Sequence, residues 1–221
     1  MLFGPSRPIR PDITRLCLPC LLWLAACGGQ GAATPAPVPR PSVAERVRAD
    51  SLRRPYTEAD VAFMTAMIGH HRQALVIAAW AATHAASPEV RRLADRIVGG
   101  QQDEIATMQQ WLGDRGYPTE PGHAAHATHM PGMLTEAQLQ ALDRARGPAF
   151  DSLFLSGMIR HHQGAVEMVR RLFSTTGAAQ DQTVFKFAND VRVDQATEIA
   201  RMEKMLAGRS TDTLTTESST Q

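Results

Sequence analysis

The stretch Met67-Ile68-Gly69-His70-His71 occurs a second time as Met158-Ile159-Arg160-His161-His162. An acid and a phenylalanine precede each copy at matching distance, Asp60 and Phe63 in the first, Asp151 and Phe154 in the second. A shift of 91 positions, 67 onto 158, superimposes the two. A second matched block follows each. Leu93-Ala94, Ile97, Gln101, Glu104-Ile105, Met108 and Leu112 fall on Phe187-Ala188, Val191, Gln195, Glu198-Ile199, Met202 and Leu206 with a shift of 94, 93 onto 187. The extra three residues lie between the blocks, where a loop absorbs them. Internal repetition dictates architecture, and here it specifies two copies of one two-element unit.

The punctuation between blocks makes each element a helix. Thr57-Glu58-Ala59-Asp60 is close to a capping box, with Asp in place of Glu. It predicts a first helix from 57 to about 85. Ser87-Pro88 supplies an N-cap and a first-turn proline for a second helix, which Gly113 and Gly116 end. Gly147-Pro148 restarts the chain for a third helix to about Ser174, and a fourth runs from about Gln180 to Leu206. A short helix is predicted between Thr135 and Arg144. Connections of only a few residues force antiparallel neighbours. One hairpin cannot bury its apolar stripe alone, so the expected fold is all-α, an antiparallel four-helix bundle of two repeated hairpins. Repeat 1 covers 57–113 and repeat 2 covers 148–207, within a bundle at 57–208. Residues 209–221, rich in Ser and Thr, are expected to be a disordered tail.

Spacing of three and four places Val90, Ala94, Ile97, Gln101, Glu104, Met108 and Trp111 on one face of the second helix. Val184, Ala188, Val191, Gln195, Glu198, Met202 and Met205 share a face of the fourth. One Gln and one Glu interrupt each apolar row at the same height. A buried carboxylate is costly unless paired or bound to a cation. Folding each hairpin about its turn places His71 level with Gln101 and Glu104, and His162 level with Gln195 and Glu198. Consecutive helical residues are about 100° apart, so both members of each histidine pair can face inward. Met67 falls near Met108, and Met158 near 198 to 202, one turn away. Each hairpin therefore brings two His, one Glu, one Gln and two Met into adjacent core layers.

Imidazole and carboxylate suit zinc, copper, iron or nickel, and thioethers tilt the choice toward Cu(I) or Ag(I). Against this stand two plainer readings: methionine as core filler, and a buried His–Glu network that fixes register. The loop at 114–134 carries a separate signal, His123, His126, His129, Met130 and Met133. Short His-rich tracts suit metal capture. His84, near the end of the first helix, is assigned no such role.

The first 27 residues read as an export signal. Arg7, Arg10 and Arg15 precede an apolar run from Leu16 to Ala26, too short for a mature span. The run ends in Leu24-Ala25-Ala26-Cys27, which resembles a bacterial lipobox whose cysteine is lipidated. All three cysteines lie within this segment, so the mature domain has neither disulfide nor thiolate ligand. Residues 28–56, with Pro35, Pro37, Pro39 and Pro41 alternating at their centre, read as a tether. The expected location is the periplasm or cell envelope, with the chain held to the membrane through Cys27. A net charge of +1 gives no electrostatic footprint for nucleic acid.

The D-x2-F-x3-M-I-x-H-H block, with L-A-x2-I-x3-Q-x2-E-I-x2-M after it, resembles the bacterial domain-of-unknown-function family 305. That family is considered ferritin-like and includes periplasmic copper-binding proteins of the CopM type. The resemblance covers about 57–112 and 148–206. It implies a four-helix bundle and a copper or silver role. Residue by residue it carries over to Met67, His70, His71, Glu104 and Met108, and to Met158, His161, His162, Glu198 and Met202. Copy one has Arg72-Gln73 where copy two has Gln163-Gly164, so the copies are not equivalent.

The expected function is thus an exported, lipid-anchored metal-binding protein for copper or silver homeostasis or resistance, with zinc or iron as lesser candidates and a copper-handling protein as a possible partner. A ferritin-like di-metal oxidase is the enzyme alternative, but four bridging carboxylates cannot be assembled from this pattern. A metal-free structural bundle is the third reading.

Overall fold

The computed structural model describes residues 41–53, 55–120 and 130–218. These form six helices: α1 (Val43–Arg53), α2 (Glu58–His84), α3 (Pro88–Gly113), α4 (Glu136–Arg144), α5 (Gly147–Phe173) and α6 (Gln182–Ser218). The four long ones are the two repeated hairpins. None of the described helices is long and apolar enough to cross a membrane.

Local chemistry sets the helix starts. Thr57 caps α2, and Asp60 Oδ2 reaches back to the Thr57 N–H at 2.8 Å, completing the capping box. Ser87 caps α3, with Pro88 at its first position. Thr135 and Gln138 form a capping box for α4. The Asp181 carboxylate accepts from the backbone of Thr183 and Val184 at the start of α6. Two differences from the sequence reading concern the ends. Residues 43–53, within the expected tether, are helical. Residues 209–218, expected as disordered tail, continue α6 as helix to Ser218. Past Gly208 the sequence holds no glycine or proline to stop the helix. Arg209 also anchors this turn, donating to the Pro148 carbonyl at 3.0 Å and pairing with Asp151 at 3.1 Å.

The recurring aspartates join the hairpins. Asp60 on α2 accepts from Ala179 N–H at 2.7 Å, in the turn between α5 and α6. Asp151 on α5 accepts from Ala86 and Ser87 N–H at 3.1 and 3.0 Å, in the turn between α2 and α3. Each hairpin thus satisfies the turn of the other. Both aspartates are fully buried. Ala179 is held at φ 55°, a left-handed conformation that alanine rarely adopts unaided.

Buried apolar side chains form two clusters. One takes the start of α2, the end of α3, the end of α5 and the start of α6, and includes Met67, Met108, Ala165 and Val191. The other takes the end of α2, the start of α3 and the start of α5, with Ala74, Ile97 and Met158, joined by Met202 of α6. Between the clusters, on each of the four long helices, lie the polar residues: His70 and His71, Gln101 and Glu104, His161 and His162, Gln195 and Glu198. The core is two apolar halves separated by one polar layer.

Candidate metal centre

All four histidines of the layer are completely buried. His71 Nε2 lies 2.7 Å from Glu104 Oε2, and His162 Nε2 lies 2.6 Å from Glu198 Oε2. A carboxylate accepts, so each Nε2 carries the donated proton. The two glutamates are about a fifth to a quarter exposed, so each pair runs from the interior toward the surface. His70 and His161 do not pair with a carboxylate. Their rings come into close, tilted contact across the hairpin boundary, with centroids 3.9 Å apart and planes at 37°. The centroids of His70 and His71 are 6.3 Å apart, as are those of His161 and His162. Two separate hairpin sites were the expectation. The contact between His70 and His161 makes them one layer.

His70 Nε2 is 3.0 Å from the Pro131 carbonyl, which can only accept. Burial, reinforced by the neighbouring His71, pushes the His70 pKa down to about 3. The ring is neutral near pH 7, and its Nδ1 is a bare lone pair. Burial and then the His70 ring hold His161 well below the usual imidazole range as well. Five buried ring nitrogens have no hydrogen-bond partner: Nδ1 of His70, His71, His161 and His162, and Nε2 of His161. Gln101 Oε1 and Gln195 Oε1 are likewise buried without a partner. An unmet buried polar atom costs about 1–3 kcal/mol, and native cores hold few. Seven in one layer is a concentration that a structural role leaves unexplained.

The remaining residues of the sequence reading divide clearly. Met67 and Met108 flank the layer on one side, and Met158 and Met202 flank it on the other, all fully buried. Met130 packs against the first apolar cluster, and the Met133 carbonyl accepts from Arg160 at 3.1 Å. His123, His126, His129 and Cys27 lie outside the described residues. His84 is satisfied structurally, with Nε2 2.9 Å from the Asp143 carbonyl and Nδ1 2.8 Å from Thr83 Oγ1. Among the described residues, no three His, Cys, Asp or Glu side chains already stand together closely enough to hold an ion.

Two of the differences between the copies are explained by the turn that leads into α4, whereas Arg72 pairs with Glu120. Gly164 of α5 touches Pro131 and Gly132 so closely that a Cβ on it would run into the Pro131 carbonyl. Gln73, at the matching position on α2, brackets Leu134 instead. Its Oε1 accepts from Leu134 N–H at 2.8 Å and its Nε2 donates to the Leu134 carbonyl at 2.9 Å. Arg160 replaces Gly69 and holds Met133. The departures clamp one asymmetric turn over the α2–α5 face, where it also reaches His70.

Sequence reasoning missed this turn's contact with His70. It also missed Arg115 and Arg209, related by the same shift of 94. Arg115 pairs with Asp181 at 2.7 Å and lies 4.2 Å over the Trp111 ring, while Arg209 pairs with Asp151. Their matching positions were the signal available.

Several known proteins share this arrangement of helices. A DUF305 fragment from Deinococcus radiodurans is 35% identical with a TM-score of 0.61, the match covering 69% of this chain and 98% of that one. A DUF305 protein from Streptomyces coelicolor, described as a presumed secreted protein, is 28% identical with a TM-score of 0.61, covering 69% and 94%. CopM in its Cu(II)-bound form is 30% identical with a TM-score of 0.55, covering 67% and 96%, and CopM in its Ag-bound form is 29% identical with a TM-score of 0.54. No curated protein matches the chain. The model of the domain of unknown function DUF305 matches residues 60–206, from the buried aspartate that starts repeat 1 to the last leucine of repeat 2. The chain belongs to the DUF305 family.

Proposed function

We propose that the protein is an exported metal-binding protein and that its cargo is copper or silver, held in the histidine layer. The observation that carries this reading is the set of five unpartnered ring nitrogens on four fully buried histidines. Neutral imidazole nitrogen is a favoured ligand for copper. Hydrogen bonding at one ring nitrogen fixes which nitrogen faces a metal. Here the Nε2 atoms of His70, His71 and His162 are engaged, which leaves their Nδ1 atoms as donors. Glu104 and Glu198 accordingly act as outer partners that orient the rings, a change from the direct ligands first assigned. Because no three donors stand ready around one point, loading turns some of the rings. Met67, Met108, Met158 and Met202 supply soft sulfur on either side, which favours Cu(I) and Ag(I) over zinc. The copper- and silver-bound forms of CopM, at 29–30% identity, support the same choice.

In this account the leader exports the chain, Cys27 takes the lipid, and His123, His126, His129, Met130 and Met133 capture ions in a second, outer site. The description of the Streptomyces protein as a presumed secreted one is in line with an extracytoplasmic location. A protein that hands over or receives copper is the natural partner. A register-fixing network is the competing reading, and the two His–Glu pairs favour it. It leaves the stacked His70 and His161 without a purpose. Native mass spectrometry of the protein titrated with Ag(I) separates the two. His71→Ala and His162→Ala should each lower the number of tightly held ions. Unchanged stoichiometry in both variants would count against the layer as the site.

A further inference from the structure

The histidine layer has two approaches. On the α2–α5 face the Met130–Leu134 turn is clamped by Gln73, Arg160 and the close packing of Gly164. On the other face α3 and α6 stand apart and leave a cleft of about 280 Å³. Its walls include Glu104 and Glu198, the two glutamates that hold His71 and His162. Asp194 lines it as well, with its carboxylate exposed and in no hydrogen bond or ion pair among the described residues. Gln101 and Gln195, each only 3% exposed, line the same cleft, and their Oε1 atoms are buried beside it without a partner.

We propose that this cleft is a cation vestibule, in which Asp194, Glu104 and Glu198 together with the Gln101 and Gln195 side-chain oxygens hold a hydrated divalent cation on its way to the histidines. The inference rests on the metal-binding reading of the layer below it. The ligand class follows from the donors. Carboxylate and amide oxygens favour hard or borderline cations, so the vestibule selects Cu(II) over the soft Cu(I). Water completes the shell, since the carboxylates are not close enough together to hold an ion directly. The two amide oxygens have no partner to give up, and a turn of either side chain toward the cleft lets it accept from a coordinated water. Partial burial, then the charges of Glu104, Asp190 and Glu198, raises the Asp194 pKa, which places these acids within one electrostatic neighbourhood. Arg96 and Arg201 line the same cleft beside Leu93 and Ile97. Arg46 and Lys186 line its continuation along α3 and α6, with Asp103 and Asp190. The acidic stretch thus sits between two cationic ends. Asp194 has no counterpart in repeat 1, where Gly100 stands. It is the residue that makes the mouth more acidic than the repeat requires.

The test is the rate at which the whole protein takes up Cu(II), followed by stopped-flow quenching of tryptophan fluorescence. Asp194→Asn should load about three-fold more slowly at low ionic strength and Asp194→Lys slower still. The difference should shrink in about 1 M salt, where screening acts within a few ångströms. Glu136→Gln, on the exposed start of α4 away from the cleft, should load like the wild type. Wild-type rates in both Asp194 variants would overturn the vestibule and leave the histidine site standing. Failure of the wild type to take up Cu(II) while it still binds Ag(I) would overturn the vestibule alone, and failure to bind either ion would overturn the histidine site as well.

Discussion

His161 has no hydrogen-bond partner for either ring nitrogen, although it is completely buried. Such a residue weakens the metal-free fold. His161→Leu, which replaces the ring by an apolar side chain, should raise the stability of the metal-free protein by about 1 kcal/mol or more. The same substitution should weaken Ag(I) binding. Urea unfolding and silver titration of one sample check both halves, and a loss of metal-free stability would show that the ring has a structural role. His70 sets the pH dependence. Its folded pKa of about 3 lies below the ordinary 6.5, so the unfolded chain takes up the proton first. The stability it contributes is whole above pH 6.5 and is lost as pH falls from 6.5 toward 3, by about 1.4 kcal/mol per pH unit for each such histidine. His161 acts in the same direction. Urea midpoints of the metal-free protein should therefore drop between pH 6.5 and 5, and a flat profile would contradict the neutral, buried rings.

At the scale of elements, two devices hold the layer in place. The first is the exchange of aspartates, in which α2 and α5 each bond the other hairpin's turn. Asp151→Ala should cost about 1–3 kcal/mol, because it leaves the Ala86 and Ser87 N–H groups unmet, and urea unfolding reads the loss. The second is the clamped turn before α4. Gly164→Ala should displace Pro131 and cost about 1–3 kcal/mol through overpacking. Faster hydrogen exchange at the Leu134 amide would accompany it, and a rate unchanged from the wild type would argue that the turn is held elsewhere. The helices themselves were legible. Thr57, Ser87-Pro88 and Gly147-Pro148 act within a few residues of themselves, and local rules capture such signals. Asp60 and Asp151 were visible as a repeat but not as bonds, because their partners lie more than 60 positions away. The helical stretch 43–53 sits beside an alternating proline run whose composition dominates a sequence reading. Residues 209–218 are polar apart from Leu214, so the stripe that marked the rest of the helix ends at Leu206.

The four long helices form a pseudo-symmetric shell around a polar layer, with the symmetry broken by the clamped turn on the α2–α5 face and by Asp194 on the α3–α6 face. Helical spacing and short turns sufficed to put each His71-type residue level with its glutamate. The pairing of His71 with Glu104 and His162 with Glu198 was therefore within reach of the sequence. The stacking of His70 on His161 was not, since it depends on how one hairpin seats against the other. That contact joins the two His–Glu pairs into one layer, and the loop histidines form a separate matter. The most direct test is an equilibrium titration with Ag(I) or Cu(I) of a variant in which His123, His126 and His129 are all replaced by alanine. The account predicts that this variant still binds tighter than micromolar, and that adding His161→Leu removes most of that affinity. Binding that disappears with the three loop histidines alone would contradict a metal site in the core.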